Sequence, residues 1–233
     1  MTERSSPKAT RPTVSEADEP KLGRRERNRQ EKLARILNAA RVLFREKGFQ
    51  NATVTEIAEA ADIGFGTLFL YAKSKEELLV MVFKDEMNEV CNKTYAKLPE
   101  KPVLDQVLFL FEGFIAYHKR DVPLARALMK EIFFLDNPVR RAEVMKLMRN
   151  IYGRLADIID RGKAKGTIRK DADRIQLARN LFGIYVQLLN AWLGGYTDYA
   201  RFMEVLPKAL AMQLAEAAPA RAAKRPARAK SSA

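Results

Sequence analysis

The sequence predicts an all-α chain in two parts: an N-terminal three-helix unit carrying a helix-turn-helix, and a larger helical unit behind it. Three observations carry this. Thr53 to Leu78 reads as two short helices around a tight bend and the start of a third. From Val103 onward, apolar residues recur at helical spacing with no alternating strand pattern. The stretch from about Asp171 to Leu193 is apolar nearly all round, which requires burial on both sides.

Met1 to Leu22 is rich in Pro, Ser, Thr and charge without periodicity, so residues 1–22 are expected to be a disordered tail. Gly23 to Arg29 (GRRERNR) leads into the first helix. Arg24, Arg25 and Arg27 could follow a nucleic-acid backbone or enter a minor groove, or simply form a solvated charge run at a helix start. The first helix runs to about Lys47, with Leu33, Ile36, Leu37, Ala40, Leu43 and Phe44 forming one stripe, and Gly48 ends it. Thr53-x-x-Glu56 has capping-box spacing and opens a second helix through Val54, Ile57, Ala58 and Ala61. Asp62-Ile63-Gly64 suits a tight bend. A third helix follows from Phe65 to about Tyr71. Ser74-x-x-Glu77 is a second capping box, opening a fourth helix to about Leu98 with Leu78, Leu79, Val82, Phe83, Met87 and Val90 inward, closed by Pro99 and Pro102.

Small residues at Ala58 and Ala61, with Ile63 and Leu68, let two short helices cross closely, as in a motif whose second helix enters the major groove of DNA. With Ile63 and Leu68 inward, Phe65, Gly66, Thr67, Phe69, Leu70 and Tyr71 are left outside. So much apolar and small surface on one short helix fits contact with a partner. Gly66 permits close backbone approach, Thr67 reaches a phosphate or base edge, and aromatic groups meet thymine methyls. Lys75 is a cation in a first helical turn, where it opposes the macrodipole, and that suggests an anion nearby. The candidate DNA-binding residues are therefore Arg24, Arg25, Thr53, Gly64, Phe65, Gly66, Thr67, Phe69, Tyr71 and Lys75.

At these positions the chain resembles the TetR family of transcriptional regulators. The resemblance rests on Ile36 to Ala40, Leu43 to Phe49, Ala52-Thr53-Val54, Glu56-Ile57-Ala58, Gly66-Thr67-Leu68 and Ser74 to Leu78. It implies a DNA-binding domain over 23–91 (motif about 53–73), then a helical ligand-binding and dimerisation domain over 92–216. The sequence departs from the family pattern at Gly64, Phe69 and Ala72, where Ser, Tyr and Phe are common.

Beyond the motif, helices are expected from Val103 to about Arg120, from Pro123 to about Leu135, and from Asn137-Pro138 to about Lys165. Gly166-Thr167-Ile168 breaks the chain and Asp171 or Asp173 restarts it. In the next helix Leu177, Leu181, Tyr185, Leu188 and Trp192 form one row, which is expected to meet the same helix of a second subunit, with Gly183 allowing close approach. Asp198 to about Glu216 supplies the last helix, which Pro207 should kink or split. The resemblance implies a cavity between these helices, for which Phe114, His118, Met129, Phe133, Met148, Tyr152, Phe182 and Gln187 are candidates, and Asn190 a further polar one. Its apolar bias suits a small hydrophobic or amphipathic effector.

The chain has 233 residues and a net charge of +13, placed mostly at the ends: +5 over residues 21–35 and +5 over residues 217–233, the latter a basic tail expected to be disordered. No run approaches the ~18 apolar residues of a membrane span, so no membrane partner is expected. The single cysteine, Cys91, fits a core position and a cytoplasmic setting. There is no GxSxG elbow, phosphate loop or HExxH, and only one histidine, so neither an enzyme nor a metal site is expected, and no cofactor beyond the small-molecule effector. The expected function is a ligand-responsive homodimeric repressor that binds double-stranded DNA at a palindromic operator. The competing reading is a basic architectural protein that binds DNA with little sequence preference and no ligand.

Overall fold

The computed structural model of the chain describes residues 23–219, and every regular element among them is helical. Residues 1–22 and 220–233, which hold the expected N-terminal tail and most of the basic tail expected over 217–233, lie outside the described residues. Helix α1 (Arg24–Glu46) turns Ile36, Leu37, Ala40 and Phe44 into the core, and Gly48 leaves it in the left-handed region at φ +77°. Helix α2 (Val54–Ala60) starts on a complete capping box: Thr53 Oγ1 accepts from Glu56 N at 3.2 Å, and the Glu56 carboxylate accepts from Thr53 N at 2.9 Å. The bend after it takes Asp62 to φ +52°, a conformation Asp tolerates through its short polar side chain.

Helix α3 (Phe65–Leu68) stops three residues before the expected Tyr71. The chain continues in tighter turns there, with Leu70 N and Tyr71 N donating to the carbonyls of Thr67 and Leu68. Helix α4 (Lys75–Tyr95) begins on Ser74, whose Oγ accepts from Glu77 N at 3.1 Å. The return half of this second capping box is absent. The Glu77 carboxylate accepts instead from Lys73 N at 2.7 Å and from two side chains of a distant helix.

The second unit comprises α5 (Val103–Lys119), α6 (Val122–Phe133), α7 (Pro138–Ala164), α8 (Arg174–Leu193) and α9 (Tyr199–Glu216). Four of these start on a side-chain cap, from Asp121, Asn137, Asp173 and Asp198. Helix α4 runs unbroken through the expected 91/92 boundary, so the two units share a helix. Cys91 is fully buried in it, and burial pushes its thiol up to about 11, which leaves it unreactive. Where α4 meets α5, a Cβ on Gly113 would collide with the Thr94 side chain, so this glycine sets the helix approach.

Three expectations change in this unit. Pro207 does not split the last helix: α9 is continuous, because Phe202, Leu206 and Leu210 on its buried face hold it against α8 while the proline ring lies half-exposed. Ala217, placed in the basic tail, is buried, and its carbonyl accepts from Arg169 N at 2.8 Å. The row expected at a dimer interface is already covered by its own chain. Leu177, Leu181 and Tyr185 are buried, and Trp192 stacks on Phe202 of α9 at 5.5 Å between ring centroids. Only Leu188 of the five stays half-exposed. The apolar stripe is real, but α7 and α9 of the same protomer bury it, with Phe111 and Phe114 of α5 packed on Tyr185. Gly183 has open space at its Cβ position within the protomer and lines a cavity.

Candidate nucleic-acid interface and ligand cavity

Leu68 is fully buried and anchors α3, and Ile63 packs against the core beside it. That anchoring turns the rest of the turn outward. Phe65 is 51% exposed, Phe69 41% and Leu70 81%. Phe65 and Phe69 meet edge to face at 4.9 Å, so they present one aromatic wedge. Gly64 and Gly66 are exposed, while Thr67 and Tyr71 are half-buried. Arg24 and Arg25 are exposed at the start of α1 and make no ion pair or side-chain hydrogen bond among the described residues.

Two of the candidate DNA-binding residues are engaged inside the protein. The hydroxyl of Thr53 donates to Glu56 Oε2 at 2.9 Å while accepting from Glu56 N, so its one proton is committed to the cap. That cap is strongly held: the Lys47 ammonium, then the Thr53 backbone and hydroxyl, keep the Glu56 carboxyl down at about 2. Lys75 Nζ donates to the Gln50 carbonyl at 3.0 Å and stands 4.6 Å from the Phe49 ring centroid. Among the described residues its hydrogen-bond partner is a neutral carbonyl, so the chain orients this cation without neutralising it.

Behind the exposed turn lies a clasp that the sequence did not reveal. Arg140 of α7 donates from Nε to Glu77 Oε1 at 2.7 Å and from Nη2 to the Tyr71 carbonyl at 2.6 Å. Asn137 Nδ2 adds a bond of 2.9 Å to the same Glu77 oxygen. A second carboxylate on α4, Glu86, accepts from Arg41 Nε at 2.9 Å, Arg45 Nη2 at 2.6 Å and the Tyr117 hydroxyl at 2.8 Å. Burial first, and then the Glu86 charge, push the Tyr117 phenol well above its ordinary range. Helix α4 is thus tied by two carboxylates to α1, the α3 turn, α5 and α7. The signal for Arg140 was present: it is a cation in a first helical turn, the argument applied to Lys75.

A cavity of about 460 Å³ lies between α4, α5, α6, α7 and α8. All eight candidates, Phe114, His118, Met129, Phe133, Met148, Tyr152, Phe182 and Gln187, line it, as does Asn190. The Asn190 amide is used locally, donating to the Val186 carbonyl at 2.9 Å. Nine further residues line it, and four of them bear on its chemistry and its link to α4. Phe83 and Met87 come from α4, Tyr185 had been assigned to the dimer row, and Arg179 is the one charged residue in the wall. Phe133, Arg179, Gly183 and Gln187 are exposed and so stand at the mouth. His118 is 3% exposed, and burial lowers its pKa to about 4, so the imidazole is neutral at pH 7. Among the described residues no helix is long and apolar enough to cross a membrane, and no His, Cys, Asp or Glu cluster could hold a metal.

Comparison with known proteins is consistent with this arrangement. Residues 36–82 match the family model described as "Bacterial regulatory proteins, tetR family". The chain is 26% identical over 164 residues to the "Fatty acid metabolism regulator protein" of Bacillus subtilis (strain 168), covering 70% of this chain and 84% of that one. It is 26% identical over 180 residues to the "HTH-type transcriptional repressor KstR" of Rhodococcus jostii (strain RHA1), covering 75% and 80%. Among solved structures, Thermus thermophilus FadR, a TetR-family transcriptional repressor in complex with lauroyl-CoA, superimposes with a TM-score of 0.62 at 28% identity, covering 83% and 98%.

Proposed function

We propose that this chain, whose residues 36–82 match the TetR-family model, is a TetR-type dimeric repressor released from a two-fold symmetric operator by an amphipathic effector. The observation that carries the reading is that α4 begins at the exposed α3 turn and, two to three turns later, supplies Phe83 and Met87 to the cavity wall. An occupant would press on the helix that holds the DNA-reading surface. Residues 23–91 would read DNA and residues 92–216 would bind the effector and dimerise. On the DNA side we assign Phe65, Gly66, Thr67, Phe69 and Tyr71 to base edges and phosphates at the major groove, Gly64 to close backbone approach, and Arg24, Arg25 and Lys75 to the phosphate backbone. The fatty-acid regulator and the lauroyl-CoA complex among its relatives, together with Arg179 at the mouth of an apolar chamber, favour an effector with an acyl chain and an anionic head, such as an acyl-CoA.

The test is selection of bound DNA from a random-sequence pool at ~150 mM salt, where charge-driven binding is weakened. The expected result is an enriched inverted repeat with half-site centres about 34 Å apart. Lauroyl-CoA should then release the protein from that repeat. Retention without an enriched motif would favour the architectural reading. A motif with no release by any acyl-CoA would leave the repressor and remove the effector class.

A further inference from the structure

We propose that His118 and Tyr185 form a polar anchor inside the cavity, and that the physiological ligand carries a neutral oxygen, a carbonyl or a hydroxyl, in the part of its chain that enters. The inference rests on the reading of this cavity as the effector site.

Both residues line the cavity, His118 from α5 and Tyr185 from α8. Both are closed off from solvent, at 3% and 2% exposure. His118 Nδ1 and the Tyr185 hydroxyl are buried polar atoms without a hydrogen-bond partner among the described residues. Buried polar atoms in native folds almost always have partners, so two without one, in the same chamber, call for an explanation. Their surroundings offer none: Phe111, Phe114 and Phe182 pack on the Tyr185 ring, and Phe83 stacks on the imidazole.

The chemistry of the two groups narrows what can serve them. A neutral imidazole has one donor and one acceptor nitrogen, and a phenol can do either. A ligand hydroxyl could donate to one and accept from the other, and a carbonyl could accept from either. A purely hydrocarbon chain would leave both polar atoms unpaired and so forgo that affinity. Sites built to hydrogen-bond an oxygen reject the analogue lacking it far more strongly than apolar walls reject a methylene. The charged head belongs elsewhere, at Arg179 in the mouth. Within an acyl thioester the oxygen is then the thioester carbonyl or a hydroxyl or ketone further along the chain.

The experiment is calorimetric titration of the full chain with four probes of equal chain length: S-dodecyl-CoA, which has no chain oxygen, lauroyl-CoA, 3-hydroxylauroyl-CoA and 12-hydroxylauroyl-CoA. At least one oxygen-bearing probe should bind about tenfold or more tightly than S-dodecyl-CoA, the loss expected when a buried polar group is left unpaired. Tyr185→Phe should reduce that preference at least several-fold while leaving S-dodecyl-CoA affinity within about twofold. The ligand-free variant should melt no lower than wild type, because it loses an unpaired hydroxyl and keeps the ring. Four probes that bind alike would overturn the anchor and leave the effector cavity standing. A preference that survives both Tyr185→Phe and His118→Phe would also overturn it. Binding by none of the four would overturn the effector reading and the anchor together.

Discussion

His118 sits between Phe83, at 6.1 Å, and Tyr117, at 5.4 Å between ring centroids, with no charged partner to favour its protonation. Burial alone lowers its pKa from 6.5 to about 4. The unfolded chain therefore takes up a proton near pH 6.5 and the folded chain only near pH 4. Between those values the unfolded state binds more protons, so stability falls as the pH falls. The contribution is intact above about pH 7 and its loss, complete below pH 4, is on the order of 3 kcal/mol. Hydrogen bonds from Lys47 and Thr53 hold the Glu56 carboxyl down at about 2, below this window. Urea midpoints measured from pH 7.5 down to pH 5 should drop for the wild type and stay nearly level for His118→Phe. A wild type as flat as the variant would show that water reaches the imidazole and that it titrates normally.

At the scale of elements, α4 is a strap with a carboxylate near each end of its contact with the DNA-reading unit. Glu77 is held by Arg140 of α7 and by Asn137 at the N-cap of that helix, and Arg140 also holds the Tyr71 carbonyl at the end of the α3 turn. Phe133, the last residue of α6, lines the cavity four residues before Asn137. An occupant that shifts α6 would pull on the clasp and so on the turn. Arg140→Met leaves the Glu77 carboxylate buried with one strong partner fewer, and should lower stability by about 3 kcal/mol in urea unfolding. Adding Glu77→Gln removes the stranded charge and should recover part of that loss. Both variants should still bind the operator, but the amount of acyl-CoA needed to release them should rise. Unchanged release would mean that the signal passes through Phe83 and Met87 of α4 alone. None of this coupling was legible in the sequence, because Glu77 and Arg140 lie 63 positions apart and each had a sufficient local role. What could be read was local. The Thr53, Asn137 and Asp173 caps, the Asp62 bend and the breaks at Gly48 and Gly166 all fell where their chemistry put them. The cavity residues were found because aromatic and Met side chains on facing helices are few. Their partner Tyr185 was missed because periodicity says that a residue is buried, and not against what.

The same limit governs the whole molecule. The row Leu177, Leu181, Tyr185 and Trp192 has no surface left for a partner, so substituting Trp192 with Asp would test the core and not the assembly. A two-fold operator still requires two DNA-reading units in fixed relation, and the outer strip of the last two helices offers the means. Ile184, Leu188 and Ala191 are half-exposed along α8 at spacings of four and three residues. Val205, Ala209 and Met212 make a matching strip on α9, with Met212 exposed at its end. These residues are apolar or small, and α8 packs against α9 with their buried faces turned to each other. Two such pairs would close a four-helix bundle about a symmetry axis, each strip meeting its own copy. Leu188→Glu combined with Met212→Glu places charges opposite their symmetry mates, at one half-buried and one exposed position of the protomer. The doubly substituted protein should keep its helical circular dichroism and its melting cooperativity, run as a monomer in light scattering at micromolar concentration, and lose most of its affinity for the inverted repeat while retaining weak binding to a single half-site. A variant that stays dimeric would move the interface off this strip. A wild type that is monomeric at the same concentration would leave the operator's symmetry to be imposed by the DNA itself.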